Sequence, residues 1–429
     1  MSRLSAFLYG IGLALYHLSI RLASPFNAKA RAWVRGRRGV LSKLRAEATS
    51  LEGCVWFHCA SLGEFEQGRP IIERLKSERP DIPILVTFFS PSGFEVRKDY
   101  PVADLVTYLP AATGRNARRF LHIVKPRVAV FIKYEYWLPY LRQMARQRVP
   151  LVVASSVFQK AHWLFKWYGR AIENELKHAH RIFVQNHESW KSISDRGFSN
   201  VSLASDTRFD RVSATVQANE SDELVRRFAE GHFTLVAGST WREEERLLRD
   251  LLEEDLPLRM VIAPHVVTRE NVQRLRRWFP SALLYSEGDV RPGERVLIVD
   301  NVGLLSKLYR YGSLALVGGG FSGKLHNILE PAAFALPVVF GPKFHGYPEA
   351  VEMIGLGAGY PVNGITDLKR VIHRFISEPD SLSSAGREAQ SFIEGNTGGT
   401  ESIVGEIMGC IGSSAGHKSA LDQVDEFGH

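Results

Sequence analysis

Seven polar side chains follow short apolar runs along a chain of 429 residues: Glu64, Ser90, Glu135, Arg208, Ser239, His265 and Asn327. In an open parallel sheet such positions fall beyond the carboxyl ends of the strands, where ligands bind. Glu64 follows Ser61-Leu62-Gly63 at a strand-to-helix turn, where a carboxylate has room to take a proton from a substrate hydroxyl. The same position suits a carboxylate that only complements a helix dipole. Glu135 stands between Tyr134 and Tyr136, with Trp137 next, where partial burial raises a carboxyl pKa or orders neighbouring groups. The plainer reading of that site is an aromatic edge with a solvated glutamate. Arg208 suits bidentate contact with a carboxylate or phosphate, or an ion pair with Asp206 or Asp210. His265 suits donation to a phosphate, or an ordinary surface loop.

A second kind of chemistry is written at 318–342, GGGFSGKLHNILEPAAFALPVVFGP. The apolar run 314–317 reads as a buried strand ending in Gly318-Gly319-Gly320. A loop follows to His326, and Asn327 to Ala335 reads as a helix opened by a capping asparagine. Strand, glycine turn and helix start together expose backbone N–H groups to an anion or a ribose, and Glu330 is placed to accept two ribose hydroxyls. An ordinary βαβ unit with a tight turn has the same pattern.

Several chemistries are excluded by what is missing. There is no G-x-G-x-x-G with a matching acidic residue, no Walker A lysine, no G-x-S-x-G elbow and no H-E-x-x-H. Cys54, Cys59 and Cys410 are the three cysteines; their spacing fits no metal site and their odd number no disulfide framework. Nucleotide-type binding in the second half and carboxylates in the first remain, and a cleft between the two suits glycosyl transfer.

The elements that must position these groups alternate as βα units. Apolar strands are expected at 54–59, 84–88, 104–109, 127–133, 150–155, 181–185 and 201–203. A largely polar helix at 214–228 bridges to a second series, with strands at 234–237, 259–263, 282–285, 296–299 and 314–317. Late helices are expected at 368–376 and 383–409, followed by a loose polar tail. This is the alternation of two successive parallel sheets. The expected domains are 1–48 (anchor and basic linker), 49–213, 214–412 and the tail 413–429.

Charge is unevenly placed. Residues 1–45 hold nine Lys or Arg and no acidic residue, leaving 45 basic against 46 acidic in the rest. The near-neutral body gives no basic stripe for nucleic acid. Leu4 to Leu22 is apolar and of borderline length for a membrane span, so it either crosses once or lies in the interface. The basic cluster behind it suits anionic headgroups and a cytoplasmic side; a buried first helix is the plain alternative.

Five segments occur in an order that is specific although each is weak alone: A-S-L-G-E at 60–64, K-Y-E-Y-W at 133–137, D-T-R-F-D at 206–210, A-G-S-T at 237–240 and H-N-I-L-E-P-A-A at 326–333. With the apolar N-terminus, they resemble the lipid A Kdo (3-deoxy-D-manno-octulosonic acid) transferases of Gram-negative bacteria. The resemblance implies a GT-B fold, α/β with two Rossmann-like domains facing across a cleft, and an N-terminal anchor at the cytoplasmic face of the inner membrane. It implies CMP-Kdo as donor, a lipid A precursor as acceptor, inversion at the anomeric carbon, and neither metal nor cofactor. It makes Glu64 the proton acceptor and gives Glu135 and Arg208 transition-state stabilisation. Donor contacts fall at Ser239, Pro264, His265, Val302, Gly303, Leu304, Asn327, Ile328, Leu329 and Glu330. The chain departs from the family pattern at Arg208, where lysine is common, and at Val266, Val302, Leu304 and Leu325, which touches donor binding more than reaction class. Other readings are a GT-B transferase for lipid-linked UDP-sugars, a nucleotide-sugar 2-epimerase, and a non-catalytic membrane-surface protein.

Overall fold

A computed structural model describes residues 2–159, 162–218, 221–254, 256–291 and 293–425. The chain divides into two compact units, Met1–Asp210 with Gly398–His429, and Arg211–Thr397.

The first unit is built on seven parallel strands: β1 (Val55–Cys59), β2 (Ile84–Phe88), β3 (Leu105–Tyr108), β4 (Val128–Ile132), β5 (Leu151–Ser156), β6 (Arg181–Val184) and β7 (Val201–Leu203). Their order is β3-β2-β1-β4-β5-β6-β7. Runs such as VWFHC, ILVTF and VAVFI are buried at every residue, as expected of strands covered by helices on both faces. Trp56 anchors one face against Phe120, Phe131 and Tyr140, and its indole N–H donates to Thr87 Oγ1 at 2.8 Å. The strand order reverses between β1 and β4, so the segments that leave these two strands are the natural ligand position.

The second unit holds β8 (Phe233–Thr240), β9 (Leu258–Pro264), β10 (Leu283–Leu284), β11 (Val296–Ile298), β12 (Leu314–Val317), β13 (Val338–Phe340) and β14 (Gly359–Pro361). All pair in parallel, in the order β10-β11-β9-β8-β12-β13-β14. Its reversal lies between β8 and β12, beside the glycine-rich turn.

Three expectations change. The bridge expected as one helix at 214–228 is two, Thr207–Gln217 and Glu223–Ala229, the second capped by Asp222 Oδ1 on the Val225 N–H. The second unit ends at Thr397 and not at 412, because the last helix returns to the first unit. Ile403, Val404, Ile407 and Ile411 are buried with Val55, Phe57 and Val130, and Asp210 accepts the N–H groups of Gly398 and Thr400 at 2.6 and 2.7 Å. That helix runs Gly399–Asp425, so most of the expected loose tail is helical, and 426–429 lie outside the described residues.

The N-terminal apolar segment is a helix, Ser2–Ala23. The expected linker behind it is ordered as Ala28–Gly36 and Val40–Ala46. One stripe of the first helix faces the body: Ser5 and His17 are buried, and Ala6, Tyr9 and Leu13 pack on the Trp56 core. Tyr16 stacks on Phe89 and His17 meets Trp33. Leu4, Phe7, Leu8, Ile11, Leu15, Leu18 and Leu22 remain exposed. At 3.6 residues per turn they lie opposite the docked stripe.

Candidate functional site

In the first unit, Glu64 lies in the first turn of helix Leu62–Glu78, directly after β1. Its Oε2 accepts the backbone N–H of Ala60, which folds the carboxylate back over the strand end. Burial, and then the charge of Glu135, push its carboxyl from the usual 4.5 up to about 7; the Ala60 N–H and Lys133 act the other way. A carboxylate near neutrality is matched to general base work at neutral pH.

Glu135 follows β4. Its Oε2 accepts the Trp137 indole N–H at 2.7 Å and lies 3.4 Å from Nε2 of His58, which is fully buried. The solvated aromatic edge is therefore not what forms: Glu135 is held from two sides, and its side chain is 15 % exposed.

Arg208 follows β7 and pairs with Asp206 through Nε at 2.9 Å and Nη2 at 2.8 Å. Burial pushes Asp206 up, but Arg208 outweighs it and holds that carboxyl below its usual range. Gln67 Nε2 also donates to Asp206 Oδ2 at 2.8 Å, and the Thr207 hydroxyl donates to the Gln67 carbonyl at 2.5 Å. The segment 206–210 thus ties helix Leu62–Glu78, and through Asp210 the returning helix, to the end of β7. Ser90 caps Pro91–Arg97 by accepting the Ser92 N–H, a structural role.

In the second unit, β8 ends in an irregularity at Ser239, whose φ is 51°. Non-glycine residues adopt that conformation rarely, and such positions gather at functional sites. Glu244 receives two backbone donors on separate oxygens, Trp241 N–H on Oε2 and Gly319 N–H on Oε1, both at 2.9 Å. This buried carboxylate joins helix Arg242–Leu252 to the glycine turn. Gly319 has φ 88°, and a Cβ there would run into the Lys324 carbonyl, so only glycine makes this turn.

His265 follows β9, stacks on Trp241 at 4.6 Å and meets His326 at 4.3 Å between ring centres. The Trp241 indole N–H donates to His326 Nε2 at 3.1 Å, which leaves the His326 proton on Nδ1. Burial lowers His265; burial and then His265 lower His326 to about 4.

The helix expected from Asn327 to Ala335 is only Leu329–Ala333. Pro331 inside it and the left-handed Ala335, φ 58°, keep it short. Asn327 still turns the chain in, its Oδ1 accepting the Leu329 N–H at 3.2 Å, while its Nδ2 donates to Glu330 Oε1 at 3.1 Å. Val302, Gly303 and Leu304 form the loop after β11; Val302 is exposed and Gly303 has φ 90°. Leu305, next in the chain, packs on Gly238 at the end of β8.

The sequence reading singled out Glu64, Glu135 and Arg208, and their strand ends converge in one unit. It did not assign Lys133, His58, Trp241, Glu244 or His326. Lys133 and His326 lie inside quoted motifs, and His58 gives no local signal because its importance depends on pairing β1 with β4. Among the described residues no three His, Cys, Asp or Glu cluster as metal ligands, and all three cysteines are buried, with no disulfide between them.

Residues 33–211 match the family model described as "3-Deoxy-D-manno-octulosonic-acid transferase (kdotransferase)". A 3-deoxy-D-manno-octulosonic acid transferase of Aquifex aeolicus is 28% identical over 338 residues, 76% of this chain and 87% of the relative. One of Rickettsia felis is 26% identical over 372 residues, 83% and 79% respectively. Among solved structures, a UDP-GlcNAc 2-epimerase of Neisseria meningitidis superposes with TM-score 0.58 at 12% identity, covering 82% of this chain and 99% of the other. That last likeness is one of fold, α/β with two parallel sheets of the GT-B type. Sequence likeness runs along most of the chain: the chain is similar to 3-deoxy-D-manno-octulosonic acid transferases, which are glycosyltransferases.

Proposed function

We propose that the protein transfers Kdo from CMP-Kdo to a lipid A precursor with inversion at the anomeric carbon. The observation that carries this reading is Glu64, a carboxyl brought to about 7 at the end of β1, within the residues that match the kdotransferase model. The acceptor hydroxyl attacks the anomeric carbon opposite the CMP leaving group. Glu64 takes the hydroxyl proton as the new bond forms, and CMP departs with the bonding electrons. Attack from the opposite face inverts the centre. Glu135, held by His58 and Trp137, and Arg208, held by Asp206, supply fixed charge for the transition state.

The donor's CMP is assigned to the second unit: Ser239, Pro264, His265, the loop Val302–Leu304, and Asn327 to Glu330. His265 and His326 lie ring against ring at that position, with Trp241 stacked on His265. Glu330, already accepting from Asn327, is oriented for ribose hydroxyls. The mechanism gives no role to a divalent cation, so transfer persists in excess EDTA.

The acceptor is a lipid, and the first helix supports a membrane-surface location at the cytoplasmic leaflet. Its docked stripe fixes it along the body, so its leucine-rich face lies in the interface and does not need to cross the bilayer. Trp163, Trp167 and Tyr168 are exposed just before helix Arg170–Leu176, on which the first helix packs, and aromatic residues of this kind favour the headgroup level. The excess of Lys and Arg in 1–45 suits anionic lipids.

The test is purified protein with CMP-Kdo and a tetra-acylated lipid A precursor, the lipid product read by mass spectrometry. A product heavier by one or more Kdo units, with matching CMP release, is expected. Product formed only from UDP-sugars contradicts the reading.

A further inference from the structure

Arg37 caps the C-terminal end of helix Ala28–Gly36, and three rings enclose its guanidinium. It lies 3.9 Å from the ring centre of Trp33, 4.9 Å from that of Phe89 and 5.1 Å from that of Tyr108. Gly36 has no room for a side chain against the Tyr108 ring, so this helix end is pressed to the body. Nη2 donates to the Phe89 carbonyl at 2.7 Å and Nη1 to the Trp33 carbonyl at 3.3 Å, while Nε is buried without a hydrogen bond. The ionisable groups that act on Arg37 are the phenols of Tyr108, Tyr140 and Tyr16; burial pulls it down to about 9, still a cation at neutral pH.

A buried charge is costly unless an opposite charge meets it. Rings and carbonyls account for Arg37 as a staple that fastens the helix, and cation–π contact offsets part of the cost. They do not account for its neighbours. Arg37 lines a cavity of about 750 Å³ together with Arg21, Arg38, Ser24 and Ser42, between the ends of the first two helices, the start of the third and the segment after β3. None of the described residues that line it is acidic. Three guanidinium groups with hydroxyls and no carboxylate are a donor set for phosphate.

The place of the cavity assigns that phosphate to a lipid. Arg21 lies in the last turn of the apolar helix. Leu18 is one turn before it and Leu22 beside it, and both are exposed, as is Leu15. Acyl chains along these leucines put a headgroup at Arg21. The cavity is also tied to the carboxylate after β4. Arg37 holds the Phe89 carbonyl, the Phe89 ring stacks on Trp137 at 4.6 Å, and Trp137 donates to Glu135.

We propose that Arg21, Arg37 and Arg38 form a phosphate site for a membrane-resident lipid whose chains lie against Leu15, Leu18 and Leu22. The inference deepens the membrane-surface reading of the first helix and rests on it. Two lipids carry the group, a phosphodiester of the bilayer and a phosphorylated glycolipid acceptor, and the test separates them.

The full chain is floated with phosphatidylcholine vesicles made anionic by phosphatidylglycerol or, at equal charge, by the tetra-acylated lipid A precursor. The variants are Arg21→Gln/Arg38→Gln, Arg37→Met and a control, Lys29→Gln/Arg35→Gln, which removes two exposed charges of the same segment from outside the cavity. Diffuse attraction counts charges and weakens the two double variants equally. A site weakens the cavity variants by about tenfold more than the control. That excess appears on phosphatidylglycerol vesicles if the bilayer supplies the phosphate, and on precursor vesicles if the acceptor does. If Arg37→Met does not fold, the Arg21 and Arg38 pair, both exposed, carries the comparison. Equal losses in the two double variants on both kinds of vesicle overturn the site and leave the membrane-surface reading standing. A wild type that floats with neither overturns both.

Discussion

Nε2 of His58 lies 3.4 Å from Oε2 of Glu135, with the imidazole wholly buried. The other ring nitrogen, Nδ1, lies 3.0 Å from the Thr87 carbonyl and 2.9 Å from the Thr87 hydroxyl, and the hydroxyl can donate or accept. With the Thr87 hydroxyl donating to Nδ1, the ring hydrogen sits on Nε2 and faces the carboxylate. His58 thus orients Glu135 from beneath while Trp137 holds it from the side. His58→Phe keeps a ring in the core but removes this hold, and lowers kcat by about ten- to a hundredfold with little change in the KM for donor. Steady-state kinetics with both substrates checks it; a kcat within twofold of wild type counts against the positioning role.

Glu64 makes stability fall with pH. Its folded pKa, about 7, stands above the usual 4.5, so the native chain holds a proton that the unfolded chain has lost between those values. Stability then declines as pH rises from about 4.5 to 7 and stays lower above, by about 3 kcal/mol. Glu64→Gln removes the penalty and still accepts from Ala60. Its melting temperature should match wild type near pH 4.5 and exceed it at pH 8. Equal melting at pH 8 would show that the ionised carboxylate is not strained.

Glu244 spends both oxygens on backbone donors, Trp241 and Gly319. A glutamine has one acceptor oxygen, so Glu244→Gln leaves one of these buried N–H groups facing an amide donor. The cost is about 1–3 kcal/mol, and the turn carrying Gly318–Gly320 loosens. CMP affinity by calorimetry should drop together with stability. Unchanged affinity in a destabilised variant would separate the turn from donor binding.

The first helix presents its two faces differently, and substitutions should follow them. Leu8→Glu with Leu15→Glu alters only the exposed stripe. It should release the protein from vesicles containing anionic lipid while leaving its melting temperature within about 1 kcal/mol equivalent of wild type, as expected for exposed sites. Flotation that is unaffected would move the membrane contact to the basic helices or to Trp163, Trp167 and Tyr168.

Apolar runs made both sheets legible, since strands buried on both faces read as continuous Val, Ile and Phe. Glu64, Glu135 and Arg208 were legible because each follows such a run. What escaped depends on long-range contact. The return of Ile403, Val404 and Ile407 to the first sheet is invisible in a segment that reads as an ordinary late helix. Lys133 lies within K-Y-E-Y-W, but its left-handed backbone is set by hydrogen bonds to β5 that no local pattern shows. Trp241 and His326, 85 residues apart, meet only because β8 and β12 are neighbours. The helix expected from Asn327 to Ala335 shrinks to Leu329–Ala333, because the left-handed backbone of Ala335 is not written in its residue type.

The most direct test of Glu64 as the base is single-turnover transfer from CMP-Kdo to the lipid acceptor by wild type and Glu64→Gln, with CMP affinity measured in parallel. The account predicts a rate lower by about 10²–10⁴-fold at unchanged CMP affinity. A Glu64→Gln enzyme that keeps more than about a tenth of the wild-type rate contradicts it.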